Sequence, residues 1–151
     1  MTAHKRFAEG TTVSVESSRG EISGILTKHG VVRQAWASEP EGDMLQFELA
    51  GHAYRFRITR PTVDEVRADF RARGGDWSRV FDPSAKVTAE WRRRWRANVL
   101  LLKAKLEFAD GEASTVVREL MPYALLTDGR TLEEAVMDGD ATVPLLTART
   151  A

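Results

Sequence analysis

Two tryptophans and four arginines fall within six positions in the run Trp91-Arg92-Arg93-Arg94-Trp95-Arg96. Arginine beside an aromatic ring is the pairing that holds phosphates and stacked bases. The other groups able to do chemistry are scattered. His4, His29 and His52 are far apart in the chain, and none has metal-ligand spacing to another. Asp128, Glu133, Glu134, Asp138 and Asp140 could gather a cation, but they follow no fixed loop pattern. A turn and a helix start explain them as well. HExxH, Walker and GxSxG patterns are absent. Ser17 and Ser18 read as helix-capping groups. The chain is therefore expected not to be an enzyme and to carry no cofactor and no metal.

Whether the arginines reach a ligand depends on the element that carries them. At about 100° per residue, Trp91, Trp95, Val99, Leu102 and Leu106 share one helical arc. That regularity makes the tryptophans core residues before it makes them base-stacking platforms. A second apolar arc holds Ala97, Leu100, Leu101, Ala104 and Phe108. Polar seams lie between the arcs, one with Arg92, Arg96 and Lys103 and the other with Arg94 and Lys105. A helix with two apolar arcs is expected to be packed on two sides, against a sheet and against later helices or a second subunit.

The surrounding elements follow from local signals. Asp82-Pro83 is a cap followed by proline at the first helical position, so the long helix should run from 83 to 109. Leu45, Phe47 and Leu49, then Tyr54, Phe56 and Ile58, alternate with polar residues. Gly51-His52 between them predicts a two-residue II′ turn that pairs Leu49 with Tyr54, Phe47 with Phe56 and Leu45 with Ile58. Val31–Ala37 is a further strand, and 38–43 a turn. Ser18 with Glu21 predicts a capping box and a helix over 19–29 ended by Gly30. Val63, Val66 and Phe70 give a short helical pattern, and 62–82 is expected to form a mobile insertion. Thr115–Leu125 reads as a helix broken near Pro122, and Thr131 with Glu134 as a second capping box.

The expected fold is α+β in two layers: a short N-terminal helix, a three-stranded antiparallel meander, a long two-sided helix and short C-terminal helices. Residues 1–12 should be a flexible N-terminus, 13–137 the domain, and 138–151 a loosely ordered tail. The chain has no cysteine, which excludes disulfides and thiolate zinc sites. No stretch approaches the ~20 apolar residues of a membrane span. MTAHKRFAEG has a basic flank but no apolar core, so no secretory signal is expected. The lack of cysteine fits a reducing cytoplasm.

Net charge is zero, with 22 basic and 22 acidic residues. Any nucleic-acid reading must therefore rest on where the charges sit. Residues 86–107 carry seven Lys/Arg against two acids, and residues 109–140 carry eight acids against two arginines. Intramolecular neutralisation would pair Arg92 and Arg96 with Glu112, Glu119, Glu133 or Glu134. The alternative is a phosphate ridge of Arg92 and Arg96 with Arg55, Arg57 and Arg60 from the sheet, engaging DNA or RNA. A rival is a protein-interaction surface on Leu100, Leu101 and Phe108, for another protein or a homodimer.

The order helix–three strands–helix resembles the double-stranded-RNA-binding domain. Here, however, Lys103-Ala104-Lys105 falls late in a helix, and no glycine-proline-histidine loop lies between Pro40 and Asp43. The chain more nearly resembles a family of uncharacterised phage and prophage proteins of high-GC bacteria. Their W-R-x-x-x-L-x-x-K-A-K-L-E helix is matched by Trp95, Arg96, Leu100, Lys103, Ala104, Lys105, Leu106 and Glu107. Ser18, Arg19, Glu21, Ile22, Leu26 and Gly30 match a second motif, Arg55 and Phe56 a third, and Leu126, Asp128, Gly129, Arg130 and Thr131 a turn. The resemblance implies a phage setting, a bacterial host cytoplasm and, for the rival reading, a host or phage protein as partner, and it supplies no catalytic residues.

Overall fold

The structure is a computed structural model and describes residues 4–139. Helix α1 is Val15–Lys28. Strands β1 (Gln34–Glu39), β2 (Gly42–Leu49) and β3 (His52–Thr59) form an antiparallel meander in that order. Helices α2 (Val63–Ala72), α3 (Pro83–Ala109), α4 (Ala113–Leu120) and α5 (Leu132–Met137) follow, with single 3-10 turns at Trp77–Arg79 and Met121–Tyr123. The fold is α+β, with α1 and α3 packed on one face of the sheet.

Helix α3 has the predicted bounds. Asp82 accepts from Ala85 N–H at 3.1 Å, and Asp110 adopts the left-handed conformation that ends the helix. Its first arc is the centre of the core. Trp95, Val99, Leu102 and Leu106 are buried against Ile22 and Leu26 of α1 and against Leu45, Phe47, Phe56 and Ile58 of the sheet. Trp95 stacks on Trp36 at 5.6 Å and meets Trp91 edge-on at 5.9 Å. Trp91 itself is only half-buried.

Three local expectations need correction. Helix α1 starts a turn early: Ser14, not Ser18, is the cap, accepting from Ser17 N–H at 3.1 Å. The extra turn lets Val15 pack on the core, and Ser18 becomes a buried mid-helix residue. β1 begins at Gln34 rather than Val31, because Val31 closes the end of α1, donating its N–H to Leu26 C=O at 3.0 Å and burying its side chain in the core, while Val32 is left in solvent. In the hairpin the turn residues are Ala50 and Gly51, with φ of 51° and 79°. Two positive φ values make a I′ turn, so Phe47 pairs with Tyr54 and Leu45 with Phe56. The register is offset by two residues from the expected one. An even offset keeps every side chain on its expected face.

The predicted helical pattern at 63–70 lies in α2, which opens on a capping box of Thr62 and Glu65. Residues 4–10 lie over α2 and α3, tied by Arg6 and Glu9. The segment after α4 runs beside β3, where Leu125 N–H donates to Ala53 C=O at 2.9 Å. Thr131 and Glu134 form the predicted second capping box. Of the expected loose tail over 138–151, all but Asp138 and Gly139 lies outside the described residues.

Candidate nucleic-acid interface

The five predicted arginines divide into two groups. Arg55 and Arg57, on the outer face of β3, both reach α5. Arg55 donates to Gly129 C=O at 2.6 Å and to Glu134 at 3.0 Å, and its side chain is only 14% exposed. Arg57 lies 3.5 Å from the same carboxylate and is more than half exposed. Glu134 accepts from Thr131 N–H, and that bond together with the two guanidinium charges holds its carboxyl below the usual carboxylate range. Arg96 pairs with Glu21 of α1. The expected pairing of Arg92 and Arg96 with the acidic C-terminal part is therefore not the one formed. Arg96 turns to α1, which lies alongside its seam of α3, while Glu134 takes the sheet arginines.

Arg60 and Arg92 meet elsewhere. Arg60 follows β3, where its N–H donates to Glu41 C=O at 2.8 Å across the sheet end. This crossing requires Gly42: a Cβ there would come within 2.3 Å of Ile58 O. Arg60 then lays its guanidinium over Trp91 at 4.9 Å from the ring centre. Arg92, one residue on, is exposed and has no hydrogen bond or ion pair among the described residues. Arg60, Trp91 and Arg92 line a cleft of about 340 Å³ between the start of α1, the sheet end and α3.

A third arginine lines the same cleft. Arg19 of α1 donates to Asp43 Oδ2 at 2.9 Å and sits 5.4 Å from the ring centres of both Trp36 and Trp95. Asp43 is on the core-facing side of β2, opposite Ile58, and its side chain is 3% exposed. The lining thus has three guanidinium groups, Arg19, Arg60 and Arg92, against two carboxylates, Glu16 and Asp43. Sequence reasoning missed Arg19 and Asp43 as site residues. Reading 38–43 as a turn hid the fact that Asp43 alternates with Leu45 and Phe47 on the buried face.

A second charged cleft, of about 660 Å³, lies across α3 between residues 6–10, α2 and α3. Its charges are nearly balanced. Buried Glu90 receives Arg93 at 2.8 Å, Arg6 at 3.1 Å and Arg94 at 3.2 Å. Burial alone would raise the Glu90 carboxyl, but the bonds and charges from these arginines outweigh it and hold it low. Arg73 lies 3.0 Å from Glu9 and is the main cause that brings the Glu9 carboxyl down to about 2.

The remaining predicted chemistry is dispersed. Asp128 and Asp138 both bond Arg130, at 2.8 and 3.1 Å, and Asp140 is outside the described residues. His29 lies 3.7 Å from Glu107, while His52 meets Tyr54 edge-on. No described helix is long and apolar enough to cross a membrane. On the second arc of α3, Leu100 is half-buried, but Leu101 is 40% and Phe108 67% exposed. Within the chain this arc is therefore not packed away along its length, so of the two expected covers the later helices do not supply all of it. α1 and α4 pack to either side of it and leave it open. Compared with known protein-family models, curated proteins and solved structures, the chain matches none.

Proposed function

We propose that the protein is a non-enzymatic phage or prophage accessory protein that engages single-stranded nucleic acid through the cleft at Arg60, Trp91 and Arg92. The phage setting rests on the helix motif at Trp95–Glu107. The observation that carries the binding reading is convergence. Of the five arginines singled out in the sequence, the two without a carboxylate partner among the described residues come from different elements and line one cleft with a half-buried tryptophan. Guanidinium groups beside an aromatic ring suit a phosphodiester with its adjoining base. Arg55 and Arg96 are engaged within the chain and drop out of the ridge, and Arg57 stays at its margin. A cleft of about 340 Å³ is of a size to take one nucleotide of a single strand.

Fluorescence anisotropy with labelled single- and double-stranded DNA and RNA tests this at two salt concentrations. Two or three neutralised phosphates predict a log–log salt slope of about −1.4 to −2 for single strands. Arg60→Glu/Arg92→Glu should abolish binding, while Lys103→Glu, a single charge reversal elsewhere on α3, should not. Affinity that ignores salt, or that survives the double reversal, overturns the reading.

The exposure of Leu101 and Phe108 favours a second reading, a protein-interaction surface on that arc. Under this reading the chain self-associates, and Leu101→Glu/Phe108→Glu lowers the mass measured by light scattering. A monomeric mass for the wild type across micromolar concentrations removes the homodimer.

A further inference from the structure

We propose that two copies of this chain pair edge to edge along β1, antiparallel and in one register, and so continue the sheet across a two-fold axis at Trp36. The proposal goes beyond the nucleic-acid reading and uses a different surface.

The two edges of the sheet differ. The β3 edge is covered within the chain, where Leu125 N–H donates to Ala53 C=O at 2.9 Å and Ala124 bridges Tyr54. The β1 edge pairs with no other strand or bridge among the described residues. The ladder tells which backbone groups it leaves open. Arg33 C=O accepts from Glu48 N–H at 3.4 Å. In an antiparallel pair such residues alternate with ones whose N–H and C=O point away. Arg33, Ala35, Ala37 and Glu39 therefore turn their backbone to β2, and Gln34, Trp36 and Ser38 turn theirs outward. Natural sheets guard an open edge with charges, proline or a bulge. Between Arg33 and Glu39 the strand has none of these, and its pairing with β2 is unbroken.

The two ends of the strand say what fits it. Arg33 and Glu39 are exposed on the outer face of the sheet, and neither has an ion pair among the described residues. Let a second β1 run antiparallel, with Trp36 opposite its own copy. Arg33 of each chain then faces Glu39 of the other, and Ala35 faces Ala37. Gln34 faces Ser38. The residues with open backbone groups thus meet one another, and each such pair can exchange both of its N–H···O bonds. A shift of two residues either way separates Arg33 from Glu39, and a parallel pairing sets like charges side by side. The patch is self-complementary, as a two-fold interface requires. Trp36 is already held by its stack on Trp95, so the strand is ordered before it pairs.

Sedimentation velocity of the intact chain from micromolar to millimolar concentration tests this, with amide hydrogen exchange by NMR beside it. The expected result is a reversible monomer–dimer equilibrium. Exchange at the N–H groups of Gln34, Trp36 and Ser38 should slow as concentration rises, while Ala35 and Ala37 are slow throughout. Arg33→Glu and Glu39→Arg each set like charges opposite one another at both ends, and each should raise the dimer dissociation constant about tenfold. The double variant restores opposite charges and should return it to within about threefold of the wild type. Both positions are exposed, so these variants fold. Leu101→Glu/Phe108→Glu should leave the dimer unchanged. A wild type that stays monomeric overturns the proposal, as does a dimer indifferent to the single reversals or not restored by the double one. A dimer lost in Leu101→Glu/Phe108→Glu and kept in the charge variants belongs to the α3 arc and overturns it too. Each of these outcomes leaves oligonucleotide binding at Arg60 and Arg92 to its own test.

Discussion

The first half of α3 has an arginine-rich cleft on each side, and the two are built to opposite ends. On the side of α2, four acids, Glu9, Glu65, Asp69 and Glu90, meet Arg6, Arg73, Arg93 and Arg94 in a chain of ion pairs. Glu90 is buried at its centre. On the side of the sheet end, Arg19 alone has a carboxylate, while Arg60 rests on Trp91 and Arg92 on nothing described. Arginine content is therefore no guide to function here. A guanidinium whose charge and donors are spent inside the chain holds segments together. One whose donors remain open can hold something else. Arg92 and Arg93 are neighbours in sequence and fall on these two different sides.

The sharpest way to break the comparison is at Glu90. Glu90→Ala leaves Arg6, Arg93 and Arg94 facing one another in a half-buried site. Removing one partner of a buried ionic network costs about 3–5 kcal/mol. Urea unfolding should show that loss, with the slope unchanged if both states keep their compactness. A loss below about 1 kcal/mol would mean that the network is solvated and screened like a surface pair. The two clefts would then not differ in kind.

How much of this was legible in the sequence depends on the range of the interaction. The stripe from Trp91 to Leu106 was readable because helical periodicity is local, and so were the caps at Asp82 and Thr131. The Ser18 cap failed because Ser14 offers the same chemistry one turn earlier, and only packing of Val15 chooses between them. The hairpin register failed because Ala50 adopts a positive φ that its side chain disfavours, so Gly51 is the second turn residue rather than the first. The faces survived because a strand repeats every two residues. At the cleft, Arg60 and Arg92 could be picked out as arginines, but their meeting could not. Residue 60 and residue 92 are joined by the sheet end crossing α3, and Arg19 and Asp43 by a contact between α1 and β2. No sequence spacing encodes either contact.

A smaller effect sharpens the comparison along the pH axis. The Glu9 carboxyl is held at about 2 by Arg73, against an ordinary value near 4.5. A folded-state value below the unfolded one contributes stability that is complete above about 4.5. It is lost as pH falls from there toward 2. Stability of the wild type should therefore decline across that window, and Glu9→Gln should flatten part of the decline. Identical pH profiles for wild type and Glu9→Gln would show that Glu9 is not held by Arg73 in solution.

The smallest expected effect is the most discriminating. Arg92→Ala removes an exposed side chain with no described partner, so the unfolding free energy should stay within about 0.5 kcal/mol of the wild type. Arg93→Ala, one position along, removes two bonds to buried Glu90, at 2.8 and 2.9 Å, and should cost about 1.5–3 kcal/mol. Urea unfolding of both variants, set beside their affinity for a single-stranded oligonucleotide, should give a crossed result. Arg92→Ala keeps stability and loses binding, whereas Arg93→Ala loses stability and, once folded, keeps binding. If both properties fall together in either variant, the two sides of α3 are one coupled surface, and the division between structural and free arginines fails.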